Sequence, residues 1–478
     1  MNTSGITKRF REPRSLGVRE ASGVWIAALL ALALAAFALA MASPARAATG
    51  RGTATLMGTV PGETFGCSVA SAGDVNGDSY ADVIVGAYQS GTASNPAGRA
   101  YIYFGGPRAD ERPDVTLSGE AAGDAFGVSV ASAGDVNRDG FDDVVVGAYE
   151  NDAQGANAGR AYVFFGGPAM DAKADIVYSG EAAGDAFGYS VAEAGDVNHD
   201  GYSDVVIGAY ENSARGAGAG RAYLYYGGSK PDAVADAVLN GESAGDRFGI
   251  SVAGAGDVNA DGFDDFVVGA YQNDAGGIDA GRAYLYFGGT ARLPDRASVV
   301  FTGAAPGDAF GFCVSGAGDL NKDGFADLVV GAYHNGAGGK DAGRAYVFNG
   351  GKSVSDSPNA VFTGEASGDA FGYAVGSAGD VNGDGFGDVV VGAYGNDAGG
   401  SAAGRAYVYL GGATPDPVAD WLITGDQTLD NLGFAAAGAG DVDGDGYADV
   451  VVGAPYSDAG RAYVAKLVGA KSRPVVAR

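Results

Sequence analysis

Residues 135–149 read Asp-Val-Asn-Arg-Asp-Gly-Phe-Asp-Asp-Val-Val-Val-Gly-Ala-Tyr, an acidic loop running straight into a β-branched strand. The pattern recurs with Asp74, Asp135, Asp196, Asp257, Asp319, Asp380 and Asp441 at its first position, spaced by 61, 61, 61, 62, 61 and 61 residues. A fixed period of this length marks a repeat architecture, in which each unit needs its neighbours to bury a core. Within the second unit, residues 114–118 alternate polar and apolar as a half-buried strand does. Residues 119–124 form a turn, and Phe126-Gly127 opens a strand of alternating Val and small residues over 128–133. The run 143–149 has the continuous β-branched character of a strand covered on both faces. A fourth strand, 160–165, is closed by Gly166-Gly167.

Four short strands per unit, 85 glycines and no helical periodicity describe an antiparallel meander. One four-stranded sheet exposes two faces and buries nothing. Seven stacked radially bury both, so the expected fold is all-β: a seven-bladed β-propeller of four-stranded antiparallel blades. An open solenoid would instead need atypical caps at both ends. Here residues 53–57 match the outer strand of the other units, while the last unit stops after the strand 461–464. The N-terminal strand is therefore expected to complete the last blade and close the ring.

Residues 1–47 read as an export signal: Lys8, Arg9, Arg11, Arg14 and Arg19 lead an apolar run over 24–41, and Ala45-Arg46-Ala47 offers a small-x-small cleavage site. The competing reading is an uncleaved anchor, because the run approaches the length that spans a bilayer; the Ala-x-Ala site favours cleavage. The expected division is a signal over 1–47, a propeller over 48–468 and a short basic tail over 469–478. Seven units of about 61 residues leave no room for a catalytic domain in the remaining sequence. Removing residues 1–47, with six basic and two acidic residues, takes the net charge from −28 to −32. Such acidity argues against nucleic acid as a partner. Cys67 and Cys313 fall in units that are not ring neighbours, so they read as small buried side chains and not as a disulfide.

Each loop places oxygen-bearing side chains at positions 1, 3, 5 and 9. The candidate metal ligands are Asp74, Asn76, Asp78 and Asp82; Asp135, Asn137, Asp139 and Asp143; Asp196, Asn198, Asp200 and Asp204; Asp257, Asn259, Asp261 and Asp265; Asp319, Asn321, Asp323 and Asp327; Asp380, Asn382, Asp384 and Asp388; and Asp441, Asp443, Asp445 and Asp449. All-oxygen, carboxylate-rich donors suit Ca²⁺ better than Mg²⁺, and up to seven Ca²⁺ ions are expected. The start of the pattern matches an EF-hand loop, but position 12 is Val or Ile within the next strand, so no helix pair follows. The alternative is a self-capped Asx turn that needs no ion; seven clusters of at least three carboxylates would then repel without neutralisation. Loop 1 has Ser79 where Gly is expected and should bind more weakly, whereas Asp443 in place of Asn should tighten loop 7.

Phe-Gly, then the Asp loop, then Gly-Ala-Tyr or Gly-Ala-Pro, resembles the FG-GAP repeat, and the whole repeated region is similar to the seven-bladed propeller of integrin α subunits. The pairs Phe126-Gly127 and Phe187-Gly188 and the triplet Gly453-Ala454-Pro455 carry the resemblance; six units have Tyr where the Pro would stand, and the last has Leu432-Gly433. The resemblance implies Ca²⁺ loops on one face and partners on the other. That other face carries the 4–1 turns and the variable 2–3 loops 89–96, 150–157, 211–218, 272–279, 334–341 and 395–402, with the seventh cut to 456–458. Varied loops on a repeated scaffold are where binding concentrates.

The expected function is that of a monomeric, calcium-binding module for cell adhesion or protein interaction, secreted or held at the cell envelope, without enzymatic activity. Its partner is expected to be a protein or glycan on the face opposite the Ca²⁺ loops, with no membrane span after cleavage. A lectin holding glycans between blades is the alternative. A Ca²⁺-dependent polysaccharide-degrading enzyme would need a base in one blade only, and the one-off candidates Lys340, Arg215 and His334 form no cluster in sequence. With only two histidines, Ser/His chemistry has little to draw on. The repeated Arg99, Arg160, Arg221, Arg282, Arg344, Arg405 and Arg461 are expected to pair with the acids just before Phe-Gly, namely Glu63, Asp124, Asp185, Asp246, Asp308, Asp369 and Asp430.

Overall fold

The computed structural model describes residues 53–92, 95–107, 111–290, 293, 296–467 and 475–476. The expected export signal lies outside them. Seven four-stranded antiparallel sheets are arranged as blades. In blade 2 the inner strand Val130–Gly134 pairs with Asp143–Ala148, then Arg160–Phe164, then the outer strand Ile176–Ser179. Each inner strand lies against the inner strands of both neighbours, and the last, Ala435–Gly440, returns to the first, Ser68–Gly73. The ring is closed by the N-terminal strand Thr53–Met57, which pairs with Arg461–Ala465 from Thr53↔Ala465 to Met57↔Arg461. Val475–Val476 adds a short parallel pairing beside the outer strand Trp421–Thr424 of blade 6.

The second strand of every blade is buried along its whole length, as the unbroken β-branched runs require. Among the described residues there are seven apolar clusters, and each lies between two blades and not within one. Between blades 1 and 2, for example, Ile84, Ile102 and Leu117 meet Phe126, Val144 and Tyr162; between blades 7 and 1, Val451 and Leu56 meet Phe65 and Val83.

The Phe-Gly and Gly-Ala motifs are the two halves of that seam. Phe126 is fully buried, its ring edge-on to Tyr162 at 5.5 Å, and Leu432 fills the same place in blade 7. Gly127 has φ +86° and donates its N–H to the Gly147 carbonyl of the same blade at 2.9 Å. A Cβ on Gly147 would collide with the Gly188 carbonyl oxygen of the next blade, and one on Gly453 would collide with Gly66 O across the closure. The closing seam therefore repeats the other six. Cys67 and Cys313 are free thiols near the top of the central channel; Cys313 Sγ accepts the Val375 N–H at 3.4 Å, the role that Ser251 Oγ plays toward Val314.

Candidate functional site: the lower acidic loops and the upper loop face

Each Asp loop links the first two strands of its blade, at the opposite end from the 2–3 loops. A bulge precedes it in all seven blades, as between Ser132 and Gly134, because Gly134 (φ +66°) turns the chain out of the ladder. Only Gly fits there, since its missing Cβ leaves room for position 8 of the next loop, Ser203 in this case.

The loop folds around its own side chains. Asp135 Oδ1 accepts the Asp139 N–H at 3.0 Å and Oδ2 the Gly140 N–H at 2.9 Å. Asn137 Oδ1 accepts the Asp139 N–H at 2.8 Å, and its Nδ2 donates to Asp139 Oδ2 at 2.9 Å. Asp143 is fully buried; its Oδ2 accepts the Val136 N–H at 3.0 Å and its Oδ1 the Gly166 N–H at 2.8 Å, tying the loop to the end of the third strand. The Asx-turn network weighed from sequence therefore exists. It does not remove the charge problem. Burial, reinforced by the carboxylates at positions 5 and 1, pushes Asp82, Asp143, Asp204, Asp265 and Asp388 up to about 7 and Asp327 to about 6. Asp449 is also pushed to about 7 by burial, with Asp443 raising it and Lys466 opposing.

These donors fit a hard divalent cation. All are oxygens, they are strongly anionic, and in loop 4 the buried Asn259 Oδ1 is left with no hydrogen-bond partner. Among the described residues, three carboxylates bring oxygens within 4.8 Å of one another only at Asp441, Asp443 and Asp449. Ser79 adopts φ +72° where the other loops use Gly. A detail invisible in the repeat pattern is that position 4 is also left-handed and reaches the position-7 ring of the next loop. Lys322 lies 4.7 Å from the Phe386 centroid, Arg138 5.8 Å from Tyr202, and the His199 ring 5.7 Å from Phe263.

On the upper face the expected arginine pairing needs correction. Arg160, Arg221, Arg282 and Arg405 pair with Glu120, Glu181, Glu242 and Glu365 at the start of the 4–1 turn, not with the acid before Phe-Gly. Among the described residues only Arg461 comes within 4.0 Å of its expected partner, Asp430. At Arg99 and Arg344 the Glu position is held by Thr59 and Ala304, and Arg344 Nε instead donates to Thr363 Oγ1 at 3.2 Å. The reason is burial. Asp124 is 3 % exposed and turned inward, where it accepts the Ala121 N–H at 2.9 Å and the Asn151 side-chain amide at 2.9 Å; Asn151 also donates to Tyr162 Oη at 3.4 Å. Asn212, Asn273, Asn335 and Asn396 repeat this role, with Ser90 replacing Asn in blade 1. The variable 2–3 loops are thus pinned at a buried amide that sequence reasoning passed over, although its spacing was regular.

The residue after each Phe-Gly or Leu-Gly pair, Tyr189, Phe312, Tyr373 or Phe434 in four blades, lines the upper mouth of the channel, a cavity of about 330 Å³. The Gly-Ala-Tyr side chains pack onto this ring, as Tyr394 does on Tyr373 of its own blade at 4.6 Å and Tyr149 on Tyr189 of the next blade at 5.3 Å. In blade 5, His334 Nδ1 lies 3.1 Å from Asp341 Oδ1 and Lys340 Nζ 3.8 Å from Asp341 Oδ2. Two of the one-off candidates therefore approach the same carboxylate, but on the face opposite the Asp loops.

The FG-GAP repeat model matches at residues 65–103, 126–164, 187–225, 248–286, 314–348, 371–409 and 433–465. Integrin alpha-5 of Xenopus laevis is 31 % identical over 232 residues, covering 46 % of this chain and 21 % of that protein. Human integrin alpha-IIb is 37 % identical over 164 residues, covering 32 % and 16 %, and rat integrin alpha-7 is 36 % identical over 163 residues, covering 33 % and 14 %. The chain thus spans about a fifth or less of the length of these relatives. In fold it is similar to a chain from the crystal structure of BBS1N in complex with ARL6DN, soaked with lead, with TM-score 0.50, 9 % identity, and coverage of 90 % of this chain and 99 % of that one. Seven matched repeats on seven closed blades place this chain in the FG-GAP repeat family, as an integrin-α-like β-propeller.

Proposed function

We propose that the chain is an exported, Ca²⁺-stabilised propeller acting as an adhesion or protein-interaction module, not as an enzyme, with its protein partner seated on the upper face. The observation that carries this reading is the division of labour between faces: the lower loops repeat one anionic design, while the upper 2–3 loops vary at their tips above a fixed Asp–Asn–Tyr frame. Similarity to integrin α subunits supports the same class of role. In the blades with Asn at position 3, the side chains at positions 1, 3, 5 and 9 and the carbonyl of position 7 would hold the cation. When bound, it supplies positive charge to carboxylates that burial and mutual repulsion otherwise leave unfavourable. The protein's own share is to pre-form the loop, through the Asp135 and Asp143 hydrogen bonds, so that little ordering remains on binding. Export is supported by the basic lead, apolar run and Ala45-Arg46-Ala47 of the N-terminus.

The deciding experiment is thermal unfolding of the chain from Arg46 onward, a compact unit in itself, with Ca²⁺, with Mg²⁺ and after chelation. A midpoint that rises steeply with Ca²⁺ alone supports the cation reading, and an unchanged midpoint overturns it. Surface-plasmon screening against purified envelope and matrix proteins in millimolar Ca²⁺ then tests the partner. Binding lost on Glu150→Ala or Gln272→Ala but kept on lower-face changes is the expected result; the reverse map would remove the upper face from the proposal. A glycan ligand is the second reading, favoured by an upper crevice of about 550 Å³ between blades 1 and 2 that presents Tyr88, Tyr149, Gln89 and Glu150. A glycan array without hits above background would set it aside.

A further inference from the structure

Blade 7 departs from the others at its acidic loop. Loops 1 to 6 have Asn at position 3, and in four of them its amide donates to the position-5 carboxylate, as Asn137 does to Asp139. Asp443 has no hydrogen to donate. Instead, the Lys466 ammonium donates to Asp443 Oδ2 at 2.6 Å. Lys466 directly follows the third strand Arg461–Ala465, and the same place in the other blades holds Phe104, Phe165, Tyr226, Phe287, Asn349 and Leu410, none of them cationic. Both partners are largely withdrawn from solvent, at 23 % and 19 % side-chain exposure. This is also the one place among the described residues where three carboxylates bring their oxygens within 4.8 Å of one another. The oxygens converge where an ammonium already lies against one of them.

We propose that Lys466 is a tethered counter-ion for the seventh loop, so that the ring takes six divalent cations and not seven. The inference rests on the reading of the other six loops as cation sites. At its ligand positions loop 7 carries four carboxylates, and the ammonium brings the charge there back to the −3 that positions 1, 5 and 9 give in each other loop. A divalent ion entering it must either displace the ammonium or lie beside a like charge a few ångströms away. The site therefore does not fit the cation as the other six do, which reverses the tighter binding expected from Asp443 alone. The placement has a structural sense: blade 7 is closed non-covalently by Thr53–Met57 on Arg461–Ala465. A cation attached to that third strand offsets the extra charge of the closing loop whatever the external ion concentration.

Native mass spectrometry and thermal unfolding of the chain from Arg46 onward test this with Ca²⁺ as the probe. The wild type is expected to bind six ions and Lys466→Met seven. In chelator, Lys466→Met should melt lower by about 2 °C. The double variant Asp443→Asn/Lys466→Met, which restores the loop of the other blades, should recover that loss. Seven ions on the wild type would overturn the proposal. So would a Lys466→Met protein with unchanged ion count and unchanged chelated midpoint. If no variant binds Ca²⁺, the cation reading of the other loops fails, and the chelated midpoints alone decide: an unchanged Lys466→Met midpoint still refutes the counter-ion.

Discussion

Replacing Gly453 by Ala probes the closure of the ring. Gly453 lies in the buried second strand of blade 7 without a positive φ, so Ala imposes no backbone strain there. The penalty is contact alone. The new Cβ would land on Gly66 O, more than 1 Å inside the roughly 3.3 Å at which carbon meets a carbonyl oxygen. It would also lie 3.0 Å from Gly66 C and 3.4 Å from Ala435 Cβ. Both sides are backbone, so no rotamer change relieves the clash, and the blades must part. A gap of 0.5–1 Å forfeits about a quarter to a half of each dispersion contact, here across the cluster that holds Leu56, Phe65, Val83 and Val451. Overpacking of this kind costs about 3 kcal/mol. At about 2.1 cal/mol/K per residue, a ring over residues 53–467 unfolds with an entropy of about 0.9 kcal/mol/K, so the midpoint should fall by about 3 °C. Gly147→Ala, at an internal seam, should cost the same, and Gly228→Ala, where no atom lies within 4 Å of the added Cβ, should cost nothing measurable. The assay is calorimetry of all three in millimolar Ca²⁺. If Gly453→Ala melts with the wild type while Gly147→Ala does not, blades 7 and 1 are not in contact and the closed ring is wrong.

Further outcomes follow from the same geometry. Ser79→Gly should raise stability by about 0.5 kcal/mol, because Ser79 holds φ +72°; a loss in urea titration would show that its side chain matters more than its backbone. Asp124→Ala should cost about 2–3 kcal/mol by orphaning the buried Asn151 amide and Ala121 N–H, whereas Arg160→Met, which breaks a partly exposed pair, should cost at most about 0.5 kcal/mol; equal effects would refute the assignment of the buried network. Glu193 is pushed up to about 7 by burial, with Asp142 and Asp264 adding to the shift and Ser203 opposing it. A raised carboxyl binds its proton more tightly in the folded state, so stability is fully present below the unfolded value near 4.5 and is lost as pH rises through about 7. Glu193→Gln should flatten that slope and leave the variant more stable than the wild type at pH 8, by up to about 3 kcal/mol; parallel stability–pH curves would show that Glu193 does not carry it.

The repeat was legible because its punctuation is local. A 61-residue period, β-branched second strands and the Asp loops name the blades, their number and even the strand that closes the ring, since each signal is carried by residues close together in the chain. The loop itself was legible for the same reason: Asp135, Asn137 and Asp139 satisfy backbone groups within five residues of themselves. What sequence missed was set by packing between segments far apart. Arg160 was matched to the wrong acid because Asp124 and Glu120 are four residues apart in one turn, and only the fold shows that the first faces inward to Asn151 and the second outward to the guanidinium.

Blade 7 shows the limit most sharply. From the chain alone, Asp443 is an extra ligand and promises a stronger cation site. Lys466 lies 23 residues on, outside the loop and in no motif, and becomes relevant only because the third strand returns its end to the loop of its own blade. The sequence by itself determined the architecture, the count of blades and the anionic loops, since these follow from local pattern and hydrophobic period. Which charges meet was decided by the tertiary structure, because electrostatic partners are chosen by distance in space and not by separation along the chain.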